Sequence, residues 1–216
     1  MAWVGKVDTS FGEQSVVLVL GEGVGHGLIP QPSGHPLTLQ TDRDGIWLVE
    51  GGEAEPAFAA PSPDFLVPPR ATKAQRQLRA QQDGLKLLPE PVVDVVVAYN
   101  ATLVSVMGSD AAVQARIAFL EALSNQTYRD SQAEIQIRVV GVHLVDYADN
   151  NDNDDALGEI TAGSALPIKA EIDRVRNQYG ADLVMLLRNF DRAAQSSCGV
   201  GYILGYHGDP FNKNYG

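Results

Sequence analysis

Four histidines, His26, His35, His143 and His207, are the first candidates for metal or proton-transfer chemistry. A zinc ion needs three or four His, Cys, Asp or Glu side chains converging at about 2.0–2.3 Å. No histidine here has a second one four residues on, and HExxH occurs nowhere in the 216 residues. His26 and His35 sit among glycines and prolines and are expected at surface turns. His143 falls inside an apolar run and is expected to be a packed or rim residue, while His207 lies in a loop with no visible role. Nucleophilic chemistry has no better support. Gly-x-Ser-x-Gly is absent, and Cys198 precedes a strand-like stretch rather than a helix, so nothing activates its thiol. That cysteine reads either as a small buried hydrophobe or as half of a disulfide with a partner outside these residues. No glycine loop for phosphate joins a strand to a helix.

The acidic run Asp149 to Asp155 invites comparison with a calcium loop. With Asp149 at position 1, the sixth position is Asp154 where the turn needs glycine, and the twelfth is Ile160 where glutamate is needed. A hydrated acidic loop is the better expectation. The formal net charge of -11 disfavours nucleic acid and anionic lipid as partners. No apolar run is long enough to span a bilayer, so no membrane partner is expected.

Elements to position these residues follow from the hydrophobic pattern. Up to about residue 69, short runs such as Trp3 to Val7, Ser15 to Leu20, Val24 to Ile29, Pro36 to Gln40 and Gly45 to Glu50 alternate with turns. They predict a small antiparallel sheet that leans on a neighbour. Residues 70–90 read as a polar, basic linker with Arg70, Lys73, Arg76 and Arg79, a segment suited to proteolytic processing. From residue 91 to 216 the pattern becomes strand, helix, strand, helix, strand, strand. Val92 to Tyr99 reads as a central strand buried on both faces. Asp110 is expected to cap a helix to about Asp130, with Val113, Ile117, Leu120 and Leu123 on one stripe. Ile135 to Tyr147 is the next strand. Ser164 is expected to cap a helix that Gly180 ends, before a strand from Asp182 to Leu187. Gly199 to Leu204 follows too closely for a crossover helix, so an antiparallel edge strand is expected. The fold class is thus α/β: a mostly parallel sheet of about four strands with an antiparallel edge, preceded by antiparallel β structure.

Residues 92 to 205 resemble bacterial reprolysin-like peptidases of the metzincin kind. The resemblance rests on Val93 to Tyr99 (VDVVVAY), Asn125 to Ser131 (NQTYRDS), Arg176 to Leu186 (RNQYGADLVML) and Cys198 to Tyr202 (CGVGY), in that order. The N-terminal stretches Trp3 to Val7, Gly27 to Ile29 and Gly45 to Glu50 are similar to the pro-region of such proteins.

This resemblance implies a secreted zinc metalloendopeptidase, made as a zymogen and acting as a monomer on protein or peptide substrates. In the family, three histidines of HExxHxxGxxH bind zinc and its glutamate activates water. The motif is missing here, so the chain is expected to be a truncated fragment without catalytic residues, lacking zinc and inactive. No signal peptide is visible either. The resemblance further implies a disulfide from Cys198 to a missing part and a substrate-binding edge at Gly199, Val200, Gly201, Tyr202 and Ile203. It also implies a structural calcium ion near Asp94 and Asp182. Two other readings stay open: a catalytically dead peptide-binding or inhibitory module that uses the edge strand, and an unrelated α/β domain. The absent helix is expected to leave apolar surface exposed.

Overall fold

In the computed structural model the described residues are 1–51, 64–68, 91–161, 163–191, 195 and 197–203. The expected linker, with Arg70, Lys73, Arg76 and Arg79, lies outside them, as does His207.

The N-terminal strands are β1 (Ala2–Thr9), β2 (Gly12–Gly21), β3 (Val24–Ile29), β4 (Leu37–Asp42) and β5 (Gly45–Glu50). They form one antiparallel meander in the order β1-β2-β3-β4-β5. Its tight connections use Gly12, Gly23 and Gly45, all at positive φ. The register sets the faces. Val17 lies opposite Leu28, and Val19 opposite His26, so these four share the inner face. Leu18, Gly27, Leu39 and Leu48 form a row on the outer face.

The second unit contains β7 (Val92–Asn100), α1 (Ala101–Met107), α2 (Asp110–Asp130), β8 (Gln136–Val145), α3 (Asn153–Glu159), α4 (Pro167–Tyr179) and β9 (Leu183–Leu187). Its three strands are parallel in the order β8-β7-β9. The chain leaves the central strand in one direction to reach β8 and crosses back over it to reach β9. Crossovers of one hand then put α2 and α4 on opposite faces. The burial pattern agrees. Val95, Val97 and Tyr99 pack with Val113 and Ile117 of α2, while Ala98 packs with Ile168 and Ile172 of α4. Both faces of β7 are therefore covered, which is why its sequence shows no polar alternation.

Helix α2 forms a middle layer. Val113 and Ile117 face the parallel sheet, whereas Phe119, Ala115, Ala122 and Leu123 pack on Val17, Val19 and Leu28 of the N-terminal sheet. The single apolar stripe expected for this helix is therefore two stripes, with Leu123 on the side away from Ile117. A helix between two sheets buries two faces, so one-sided patterning misreads it.

Several ends differ from the expectation. Ser109, not Asp110, caps α2, its Oγ accepting from the Ala112 amide at 3.1 Å. Ser164 does not cap α4. That helix starts at Pro167, whose fixed φ and missing N–H suit the first helical position. Gly180 does end α4, at φ 65. The expected acidic loop contains a short helix, α3, capped by Asp152.

The main correction concerns the last strand. Residues Gly201–Tyr202 form β10, which pairs in parallel with β6 (Phe65–Leu66) and not as an antiparallel edge of the β8-β7-β9 sheet. The amides of Gly201 and Ile203 donate to the carbonyls of Asp64 and Leu66 at 3.2 and 2.9 Å.

Candidate functional site

Two places hold the residues that the sequence singles out. The first is the entry end of β7 and β9. The Asp94 carboxylate accepts both bonds of a bidentate pair from Arg138 of β8, at 2.7 and 2.8 Å. This pair holds the Asp94 carboxyl below its ordinary range. Asp182 accepts from the Asp94 amide at 2.9 Å, and its own amide donates to the Asp94 carbonyl at 2.8 Å. The structure thus brings Asp94 and Asp182 together, and both carboxylates already have partners. Calcium takes six to eight oxygen ligands. These two residues alone do not make such a site.

The second place is the exit end of β9. Arg188 is 5% exposed and donates to the Asn151 side chain and carbonyl at 2.6 and 2.8 Å, and to Asn153 Oδ1 at 3.0 Å. The Asp149 carboxylate lies 3.6 Å away, buried and without a hydrogen bond. Tyr147 donates to Glu159 at 2.6 Å, and the Arg188 guanidinium lies 6.0 Å from its ring. Burial and the Glu159 carboxylate push the Tyr147 hydroxyl up to about 12. Asn153 Nδ2 then reaches the Ser197 carbonyl at 2.6 Å. Two contacts therefore anchor the approach to β10: Arg188 fixes Asn153, and Asn153 fixes Ser197. They hold the chain at Ser197 against the first residue of α3, shortly before β10 pairs with β6.

Between β9 and this segment lies a cavity of about 460 Å³. Ala156, Leu157, Ile160, Met185 and Val200 give it apolar walls, and Asn153, Gln195 and Cys198 give it polar ones. Cys198 is a free, exposed thiol, so the buried-hydrophobe expectation does not hold. Gly199, Gly201 and Ile203 are exposed, and Val200 and Tyr202 are half-buried. Met185 is 50% exposed on β9.

The histidines do not converge. His35 is exposed in the β3–β4 connection. His143 is half-buried on β8, with Nε2 3.2 Å from Glu171 of α4, a rim residue as expected. His26 is corrected outright: it is 1% exposed, on the inner face of β3, stacked at 6.4 Å on Phe119. Among the described residues no group of three His, Cys, Asp or Glu side chains could hold a metal. The described residues therefore do not fit a catalytic zinc. Also among the described residues, no single helix is long and apolar enough to cross a membrane.

Comparison with known proteins adds the family. A peptidyl-Asp metalloendopeptidase of Pseudomonas aeruginosa is 30% identical over 117 residues, which are 51% of this chain and 18% of that protein. A chain from a solved chaperone–substrate complex superposes with a TM-score of 0.46 at 13% identity, covering 93% of this chain and 27% of its own length. The chain thus spans under a third of either. The model of the M12B reprolysin-like metallopeptidases matches residues 90–215, from just before β7 to beyond β10, and the chain belongs to that family.

Proposed function

We propose that residues 1–216 are part of a secreted zinc metalloendopeptidase, its pro-region and the N-terminal part of its catalytic domain, made as a zymogen and acting on protein or peptide substrates. The observation that carries this reading is the family match over residues 90–215, on a β8-β7-β9 sheet with helices on both faces. Residues 1–69 act as the pro-region and residues 70–90 as the processing linker. The docking of the N-terminal sheet on α2 supports a pro-region that is folded rather than extended. Catalytic zinc ligands belong to residues outside this stretch, since HExxHxxGxxH occurs nowhere in it. By itself the chain is inactive.

Calorimetric zinc titration and a peptidase assay on purified 1–216 test the reading. No stoichiometric zinc and no cleavage are expected, and stoichiometric zinc with cleavage would overturn it. Extending the chain to include an HExxH helix should restore both.

A calcium ion near Asp94 and Asp182 would have to compete with Arg138. Calcium should therefore leave the melting temperature of 1–216 unchanged, and a rise of several degrees at millimolar calcium would establish a site there. The rival reading is a binding module that takes peptide along Gly199 to Ile203. It is weakened by the β6 pairing, which engages one side of that segment.

A further inference from the structure

The contact between the N-terminal sheet and α2 contains one group that neither catalysis nor folding explains. His26 lies between two packed layers, its ring stacked on Phe119 and 1% exposed. Neither ring nitrogen has a hydrogen bond of ordinary geometry, and the Ala112 backbone makes only a weak polar contact with the ring. A buried imidazole in that state is stable only when neutral. Arg116, on the same helix, places its guanidinium 5.5 Å from the centre of the Phe119 ring, on the helix face that the His26 ring meets.

We propose that His26 makes the docking of the N-terminal sheet on α2 an acid-sensitive latch: proton uptake by the ring opens this interface while the β8-β7-β9 sheet stays folded. The inference concerns only the contact between sheet and helix. It goes beyond the zymogen reading and does not depend on residues 1–69 being removed.

The surrounding charges set the sign. Burial first, and the Arg116 cation second, lower the His26 pKa to about 4, with the Ala112 backbone pulling weakly the other way. From β2 the ring meets Val17 and Val19, which are uncharged. The acid at the end of β4, Asp42, is held by Trp47 and by the Asp44 and Gly45 amides. Asp110, at the start of α2, is held by Tyr99 and Gln114, and Glu121 by the Val139 amide. None of these carboxylates is placed to pair with an imidazolium. A solvated imidazole has its ordinary value near 6.5, and docking lowers it to about 4. Undocking therefore takes up a proton between those values, and docking weakens as the pH falls through that window. Above it the ring is neutral in both states and has no effect.

Asp130 acts in the same direction from the far end of the interface. Ser15, Lys6 and Gln126 hold its carboxyl below the usual range, so protonation there also costs docking. The experiment must separate the two.

Hydrogen exchange read by mass spectrometry on full-length 1–216, corrected for the intrinsic rate at each pH, does so. Opening of amides 16–20 and 25–29 should rise on the order of a hundredfold from pH 7 to pH 4, with the β7 amides unchanged. In His26→Leu the rise should fall below tenfold, and in Asp130→Asn most of it should remain. An undiminished rise in His26→Leu, or β7 opening in step with the N-terminal sheet, would overturn the proposal. Should His26→Leu not fold, a nuclear magnetic resonance titration of the wild-type ring decides. A midpoint near 4, moving upward in Arg116→Gln, supports the latch, and a wild-type midpoint of 6 or above refutes it.

Discussion

At the exit of β9, all three guanidinium nitrogens of Arg188 donate to Asn151 or Asn153. Its guanidinium ties Asn151, Asn153 and Asp149 together in a nearly dry setting. Arg188→Met keeps the apolar stem but leaves the Asp149 carboxylate buried and uncompensated. It should cost about 3 kcal/mol in urea unfolding, and Arg188→Lys should recover only part, because a point charge cannot satisfy a forked set of acceptors. None of this was legible in the sequence, since the partners stand 35 and 37 residues away with no spacing to announce them. The misplacing of His26 has a different cause. Gly25 and Gly27 on either side suggest a turn, yet both lie on the outer face, where Leu18, Leu20 and Leu39 lie over them. The signal was the period of two: Val24, His26 and Leu28 alternate with those glycines, and that places the ring inward. Asp94 and Asp182 were legible as neighbours through the resemblance, but their engagement with Arg138 and a backbone amide was not.

At the scale of elements, strand and helix identities followed from pattern, while ends and partners did not. β3 and β5 match the expected runs residue for residue, and α2 ends where expected, although it starts one residue earlier. Helix α1 was missed. It is only seven residues long and follows β7 without a break, too short for a helical period to stand out from its neighbours. Asn100 starts it, accepting from the Leu103 amide at 3.1 Å, and Gly108 ends it in the left-handed region at φ 85. That glycine also meets the β4–β5 turn: a Cβ there would lie 2.7 Å from Arg43 Cα, and the Arg43 amide donates to the Val106 carbonyl at 3.1 Å. Gly108→Ala should therefore destabilise by about 2 kcal/mol or more, combining backbone strain with a backbone clash. Thermal unfolding checks this. The wild-type melting temperature in the variant would show that the turn moves aside freely.

For the whole molecule, α2 divides the stability into two parts that can be read separately. Both tryptophans, Trp3 and Trp47, belong to the N-terminal sheet, so indole fluorescence reports on that layer alone. Phe119→Ala removes the largest side chain from the shared interface and should weaken the docking by about 3 kcal/mol. The fluorescence transition in urea should then precede the loss of helical circular dichroism. Coincident transitions would show a single cooperative unit instead. A three-layer arrangement was not foreseeable from residue patterns, because each sheet read separately asks only for some apolar cover. Which helix supplies it, and that one helix serves both sheets, is decided by packing.

The docking of the meander on α2 has a consequence for any cut between residues 51 and 91. Scission there breaks one covalent connection but leaves Val17, Val19, His26 and Phe119 in contact. The severed pieces would travel together as a heterodimer, and parting them would obey mass action. Dilution, rather than the protease that makes the nick, would then set when the shared helix is bared.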